Sequence, residues 1–111
     1  MPYKQGDILL IHYPYSDLSS TKRRPVVVVG NDAANFRDYI VAKITTNLHA
    51  DAFSFPVNNS QISVPTPAPC EVRCNELFSA DNTLIIKKLS TMKTTELKRL
   101  IGQVQSVSEM P

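Results

Sequence analysis

Unbroken apolar runs, rather than alternating ones, mark the first third of the chain. Residues 8–11 read Ile-Leu-Leu-Ile, and residues 26–29 are four consecutive valines. Because a strand with one wet face alternates apolar and polar side chains, such runs predict strands that are covered on both faces. Pro25 has no amide hydrogen to give to a sheet, so we expect it to be the first residue of the second strand. The cationic segment 22–24 would then lie at the entry of that strand.

The rest of the pattern predicts further short strands and one helix. Alternation over 38–46 indicates a third strand with Lys43 and Thr45 on one face. Shorter strands are predicted at 51–57, pairing back on the third strand, and at 70–74 and 83–89, with a turn or one helical turn over 75–79. The alternating prolines of 64–69 predict a stiff connector. The last segment carries one apolar helical stripe, with Thr94 or Thr95 as its cap: Leu97, Leu100, Ile101, Val104 and Val107. We therefore expect a single domain, 1–111, that is mainly antiparallel β, barrel-like, and packed against a C-terminal helix.

Composition indicates a small positive net charge and a protein of a reducing compartment. Twelve Lys and Arg against ten Asp and Glu give a net charge of +2, so an anionic partner is suggested only by clustering, which occurs at 22–24 and between Lys87 and Arg99. Neither an 18-residue apolar run nor an apolar segment after Met1 is present, which predicts a cytoplasmic protein. Cys70 and Cys74 lack a second cysteine pair or a nearby histidine, which favours free thiols over a metal site.

Candidate chemistry concentrates at two strand ends. The chain has no Walker loop, G-x-S-x-G, H-E-x-x-H or dinucleotide fingerprint, which disfavours those enzyme classes. Arg24 is the best-fixed cation because Pro25 follows it, and its planar fork of donors suits a phosphate. The alternative for 22–24 is a solvated strand edge. Thr45 and Thr46 either favour the strand by their β-propensity alone or aim a hydroxyl at the same phosphate.

The order of these features resembles the MazF/PemK-like family of toxin–antitoxin endoribonucleases. The matching pieces, in chain order, are Gly6-Asp7-Ile8, Arg24-Pro25-Val26, Ile44-Thr45, Val72-Arg73, Leu84-Ile85-Ile86 and Leu89-Ser90-Thr91 before the final helix. The resemblance covers nearly the whole chain. It implies a small SH3-like antiparallel β-barrel, a homodimer, that cuts single-stranded RNA, usually mRNA at short motifs, without a metal or cofactor. It also implies attack of the ribose 2′-hydroxyl on phosphorus, which leaves a 2′,3′-cyclic phosphate, and a cognate antitoxin protein as partner.

The same resemblance implies residue roles. The family's catalytic Arg and Thr correspond to Arg24 and Thr45. The side chains expected to contact RNA are Lys22, Arg23, Lys43, Thr46 and Arg73, of which Arg73 is alternatively the acid. One branch of the family has an aspartate where this chain has Asn75, and an amide cannot accept a proton from the 2′-hydroxyl. The general base is therefore unassigned. The candidate is Asp17, in the polar segment 14–21 that the pattern predicts as the first loop, between the first two strands.

Two other functions stay open. Leu18-Ser19-Ser20 stands where many relatives carry a His or Ser followed by Glu-Gln, and this departure, with Asn75, favours a barrel that kept an antitoxin or RNA partner and lost catalysis. A third possibility is a gyrase poison, because one branch with this fold acts that way. That branch depends on a C-terminal tryptophan, and this chain has none.

Overall fold

Six strands and one α-helix make up the described part of the chain. The computed structural model describes residues 3–13, 22–31 and 38–108. The elements in chain order are β1 (Asp7–Tyr13), β2 (Lys22–Asn31), β3 (Asp38–Thr45), β4 (Ser54–Val57), β5 (Cys70–Asp81), β6 (Ile85–Thr91) and α1 (Thr94–Ser108). Short 3₁₀ turns cover Asn59–Gln61 and Asn82–Leu84. No helix within these ranges is long and apolar enough to span a membrane.

All six strands join one antiparallel sheet in the order β4-β5-β3-β2-β1-β6. Successive residues of the central strands enter two different cores, because side chains alternate across a strand. The helix-side core, which includes Leu100 of α1, takes Ile8, Val27, Ala42, Ile44 and Val72. The opposite core takes Leu9, Ile11, Val26, Val28 and Val41. The prediction that the unbroken runs of β1 and β2 are covered on both faces is therefore confirmed.

The mainly antiparallel β class with one C-terminal helix is also confirmed. The sheet is not a closed barrel, since its edge strands β4 and β6 share no ladder in the described ranges. A single antiparallel bridge joins Ile62, shortly after β4, to Met92, directly after β6. This bridge connects the segments that follow the two edge strands.

Pro25 lies inside β2 rather than at its start. The strand pairs with β1 from Lys22 onward, but its pairing with β3 is seen only from Val26. Pro25 therefore falls where β2 has a neighbour on one side, the position in a sheet that tolerates a missing amide hydrogen. The cationic segment 22–24 is part of the strand rather than a loop before it.

Two predicted segments in the second half are wrong. The segment 75–79 is not a turn, because β5 runs unbroken through it with alternating exposure. The strand predicted at 51–57 begins only at Ser54 and pairs with β5 rather than β3, because β5 lies between them. The helix begins at Thr94, so a cap at Thr94 or Thr95 would fall within its first turn. The tail 109–111 lies outside the described residues.

Candidate active site

The central strands β2 and β3 separate at one end of the sheet. Their ladder runs from Asn31 opposite Tyr39 to Val26 opposite Lys43. Beyond that last pair, β2 continues beside β1, whereas the end of β3 continues beside β5. We call the resulting opening the β2–β3 gap; Lys43 and Val26 lie at its closed end.

Arg24 and Thr45 lie on the two sides of this gap, on the same face of the sheet. Each is the first residue on that face beyond the last ladder pair, Val26 and Lys43. Residues two apart along a strand share a face, so Arg24 follows Val26 on β2, and Thr45 follows Lys43 on β3. Continued by two residues, the ladder register would set Arg24 opposite Thr45. Both residues are half-buried. The structure thus places the two residues on one sheet face, on the two sides of the gap, a relation that the sequence leaves open; their catalytic role stays a prediction.

A structural hydrogen bond fixes the Thr45 side chain. Its hydroxyl oxygen accepts from the Asn47 amide at 3.0 Å, across the turn that ends β3. The bond uses the oxygen as an acceptor, so the hydroxyl hydrogen is still available to donate. Thr45 can therefore be held in place by the protein and donate a hydrogen bond to a phosphate at the same time.

Lys43 connects the gap to the neighbouring strands on both sides. Its Nζ lies 5.9 Å from the centre of the Tyr13 ring and 3.6 Å from Glu76 Oε1. Tyr13 ends β1 and is opposite Lys22 of β2, so the Lys43–Tyr13 contact spans the strand that carries Arg24. An edge-on contact with Phe78, with ring centres 5.2 Å apart, supports the Tyr13 ring. Lys43, Tyr13 and Phe78 are therefore connected to one another on the sheet face of Arg24.

The cationic segment is divided between the two faces of the sheet. Lys22 shares the face of Arg24, because the two are separated by one residue in an unbroken stretch of β2. Arg23 lies on the other face, opposite His12. Thr46 also belongs to that side, where it helps to line an apolar groove of about 380 Å³. Among the predicted RNA contacts, Lys22 and Lys43 therefore accompany Arg24, whereas Arg23 and Thr46 do not.

Arg73 is buried in an ion-pair network. Its side chain is 7% exposed, and Nη1 lies 2.8 Å from Glu71 Oε2 and 2.9 Å from Asp51 Oδ1. Nη1 also donates to Ser54 Oγ at 3.0 Å. The hydrogen bonds to Asp51 and Glu71 raise the pKa of Arg73 above its already high value, which makes it a poor proton donor. This placement does not favour the predicted role of Arg73 as an RNA contact or acid.

The carboxylates of this network stabilise the loop after Thr45. Burial acts to raise the pKa of Glu71, but hydrogen bonds from Ser54, Arg73 and the His49 amide outweigh it and lower the pKa overall. The hydrogen bond from Arg73 is the main cause that lowers the pKa of Asp51 to about 2. Glu71 is also the ladder partner of Thr45. The network therefore fixes the loop that follows Thr45 and the part of β5 beside it.

An irregularity in β5 positions one further carboxylate. Ala42 pairs with Leu77 and Ile44 pairs with Val72, so the four residues 73–76 of β5 lie opposite Lys43 alone. Such a bulge re-aims side chains that a regular strand would direct elsewhere. Within it, Glu76 Oε2 lies 3.5 Å from Arg73 Nε, and Glu76 Oε1 faces Lys43. Glu76 is not identifiable from the sequence, because the polar residues of its segment favour a turn and no local pattern signals the extra residues of the bulge.

Other sequence predictions have simpler outcomes. Cys70 and Cys74 are free, buried thiols in β5, as expected. No group of three or more His, Cys, Asp or Glu in the part of the chain that the structure describes is arranged to hold a metal ion. Asp17, the candidate base, lies outside the described residues.

The fold is shared with solved toxin structures. A crystal structure of MazF from Deinococcus radiodurans aligns with a TM-score of 0.75 at 16% sequence identity, over 97% of each chain. An endoribonuclease in complex with its cognate antitoxin, from a mycobacterial species, aligns with a TM-score of 0.71 at 13% identity, over 96% of this chain and 97% of that one. For the Mycobacterium tuberculosis toxin MazF-mt6, the TM-score is 0.67 at 18% identity, over 90% of this chain and 96% of that one. At such identities the likeness establishes the fold alone.

Family membership comes from the sequence match. No match to a curated protein sequence was found. The family model for PemK-like, MazF-like toxins of type II toxin–antitoxin systems matches residues 4–107. This range contains every strand, nearly all of α1, and both sides of the β2–β3 gap. The chain therefore belongs to the PemK-like, MazF-like toxin family of type II toxin–antitoxin systems.

Proposed function

We propose that this protein is the toxin of a toxin–antitoxin pair and cleaves single-stranded RNA, usually mRNA at short sequence motifs, without a metal ion. One observation carries the proposal: Arg24 and Thr45 follow the last β2–β3 ladder pair on the same sheet face. A permanent cation and a hydroxyl donor on the two sides of one opening suit a phosphate bound between them. Family membership and the solved endoribonucleases of the same fold support the assignment.

In the proposed reaction, the ribose 2′-oxygen attacks the adjacent phosphorus and the 5′-oxygen leaves. Negative charge builds on the non-bridging oxygens as the phosphorus becomes five-coordinate. Arg24 stabilises that charge with its guanidinium fork, and Thr45 donates a hydroxyl hydrogen bond to the same group. Lys22 and Lys43 attract the flanking phosphates, because they share the face of Arg24. The products are a 2′,3′-cyclic phosphate and a free 5′-hydroxyl.

The proposal extends to the assembly. The solved complex of an endoribonuclease of this fold with its cognate antitoxin supports an antitoxin protein as the partner. We propose that an acidic segment of that antitoxin competes with RNA for the face of Arg24, since both ligands are anionic. Residues 1–111 would act as one toxin domain in a homodimer in the cytoplasm.

A second candidate is a toxin-like module that binds RNA or an antitoxin without cutting RNA. The observation in its favour is Asn75, an exposed amide at the position where one branch of the family has an aspartate. An amide at that position cannot take the 2′-hydroxyl proton, so catalysis needs another acceptor or is lost.

RNA cleavage separates the two functions. Purified protein is incubated with a long single-stranded RNA in the presence of a chelator, and the fragments are analysed for cyclic-phosphate ends. We expect cleavage at a restricted set of sites, and a loss of about 100-fold or more for Arg24→Ala, because one transition-state donor is removed. Arg99→Ala on α1 is the matched control, since that side chain is 67% exposed and pairs with Glu96 away from the gap.

The outcomes are distinct. Cleavage by the wild-type and Arg99→Ala proteins, with loss in Arg24→Ala, supports the nuclease. RNA binding without any cleavage across varied sequences would favour the binding module. Cleavage that survives Arg24→Ala unchanged would remove Arg24 from the site while leaving the activity itself in place.

A further inference from the structure

We infer that Glu76 is the group that accepts the 2′-hydroxyl proton, an assignment that rests on the proposed ribonuclease activity. The reaction needs such an acceptor, and neither Arg24 nor Thr45 can serve. A guanidinium stays protonated at any working pH, and a threonine hydroxyl is a very weak base. The proton acceptor is therefore expected to be a carboxylate close to the closed end of the β2–β3 gap.

Most carboxylates in the described ranges are in the wrong place or already occupied. Asp7 begins β1 and Asp38 begins β3, whereas Tyr13 and Thr45 lie at the far ends of those strands. Glu71 and Asp51 receive the guanidinium of Arg73 in hydrogen bonds of 2.8 and 2.9 Å. Their lone pairs are used to hold the network together.

Glu76 differs from these groups in contact distance and in access. Its two oxygens lie 3.6 Å from Lys43 Nζ and 3.5 Å from Arg73 Nε, which is beyond a short hydrogen bond. The Nε of Arg73 is buried and makes no hydrogen bond. The Glu76 side chain is 41% exposed and borders an open cleft of about 460 Å³, together with Tyr13 and Phe78. A carboxylate oriented by two cations thus faces a space in which ligands of nucleotide size fit.

The position of Lys43 connects Glu76 to the reacting phosphate. Lys43 closes the β2–β3 gap, directly before the level of Arg24 and Thr45. Glu76 is on the β5 side of Lys43 and Tyr13 is on its β1 side, so all three share the face of Arg24. If Arg24 and Thr45 hold the reacting phosphate, the ribose that carries the attacking 2′-hydroxyl would lie between these two residues and the cleft bordered by Glu76 and Tyr13.

The proton transfer is balanced within the proposed reaction. A Glu76 oxygen takes the proton as the O–H bond of the 2′-hydroxyl breaks and the 2′-oxygen–phosphorus bond forms. The phosphorus–5′-oxygen bond then breaks, and the leaving oxygen takes one proton from solvent. Glu76 returns its own proton to solvent, so the enzyme is unchanged after one turnover.

Single-turnover cleavage of a short RNA tests the assignment. Glu76→Gln keeps the size of the side chain and removes its basicity, and we expect the cleavage rate to fall by about 100-fold or more. Circular dichroism and binding of an RNA with a 2′-O-methyl group at the cleavage position should match those of the wild type. Glu96→Gln is the matched control, because Glu96 also pairs with an arginine three residues away and lies on α1; we expect it to cleave at the wild-type rate.

Two further measurements exclude a purely structural role. Added acetate or formate should restore cleavage to Glu76→Ala in proportion to its concentration and should not restore Arg24→Ala. On an RNA with sulfur in place of the leaving 5′-oxygen, Glu76→Gln should stay slow, because loss of a base is not corrected by a better leaving group. Recovery of the wild-type rate on that substrate would make Glu76 an acid and overturn the assignment.

The remaining outcomes are equally decisive. Wild-type cleavage together with normal cleavage by Glu76→Gln would overturn the role of Glu76 and leave the ribonuclease proposal intact. Loss of activity in Asp17→Asn alone would reassign the base to the first loop. A wild-type protein that cuts no RNA would overturn both proposals at once.

Discussion

At the residue scale, Thr45 combines an observed structural contact with the chemical role proposed for it above. Its oxygen accepts from the Asn47 amide, and its hydrogen is available for a phosphate. We expect Thr45→Val to lose about 100-fold in single-turnover cleavage, because a transition-state donor is removed. Stability should fall by no more than about 1 kcal/mol, since the lost hydrogen bond is exposed. Thr45→Ser keeps the hydroxyl and should retain most of the activity.

The pair of variants makes the assignment testable. Cleavage rates and thermal unfolding are measured for both on the same RNA. A Thr45→Ser protein as slow as Thr45→Val would show that the methyl group, and hence packing, is what matters at this position.

Individual residues were predictable to different degrees. Arg24 could be selected from the sequence because a proline fixes the backbone after it. Thr45 follows from the family resemblance, but its place across the gap from Arg24 could not be predicted, since the register of β2 on β3 depends on which side chains fill the two cores. Arg23 was grouped with Arg24 because they are adjacent in sequence, but adjacent residues of a strand point to opposite faces.

Among the elements, β5 carries a buried ion pair on which the stability of the fold depends. Arg73 and Glu71 are both nearly fully buried in it, at 7% and 3% side-chain exposure. Arg73→Met would leave the Glu71 carboxylate buried without its cation, and we expect a loss of about 3 to 5 kcal/mol in the free energy of unfolding. Denaturant unfolding measures this loss. RNA affinity per folded molecule should be unchanged, because the Arg73 guanidinium is buried among Asp51, Glu71 and Ser54.

A double variant supplies the control. Arg73→Met combined with Glu71→Gln removes both charges and should recover part of the lost stability. If Arg73→Met instead kept its stability and lost RNA affinity, the earlier prediction of an RNA contact would be correct.

The same network gives β5 and the β3–β4 loop an acid-sensitive contact. Hydrogen bonding to Arg73 lowers the pKa of Asp51 from 3.8 to about 2 in the folded protein. A lowered folded-state pKa contributes stability that is present above the unfolded value and is lost as pH falls through the folded one. We therefore expect the difference in melting temperature between wild type and Asp51→Asn to be constant above about pH 5 and to shrink between about pH 4 and pH 2. A difference in melting temperature that stayed constant down to pH 2 would show that the pKa of Asp51 does not change on folding.

The elements also show where sequence patterns lose information. Continuous apolar runs identified β1 and β2 because central strands need apolar residues on both faces. The pattern failed for β5, where polar residues at 75 and 76 suggested a turn. A bulge with three extra residues keeps the strand intact while it breaks the register with β3, and no local preference encodes that.

For the whole molecule, the distribution of charge matters more than its sum. A net charge of +2 is small, and acidic groups neutralise Arg73 within the network. Among the described residues, the cations that lie beside the β2–β3 gap itself are Lys22, Arg24 and Lys43. Binding of RNA to this face should therefore involve about three phosphate contacts.

That number predicts the salt dependence of RNA binding. Each contact with a single strand releases counterions and contributes about −0.7 to the slope of log K against log salt, so three contacts give a slope near −2. Affinities are measured between low and moderate salt with an RNA that carries a 2′-O-methyl group at the cleavage position. Lys22→Ala should reduce the slope by about 0.7, while Arg99→Ala on α1 should leave it unchanged. A salt slope that changes in Arg99→Ala and not in Lys22→Ala would show that RNA binds on the helix side of the sheet, away from Arg24.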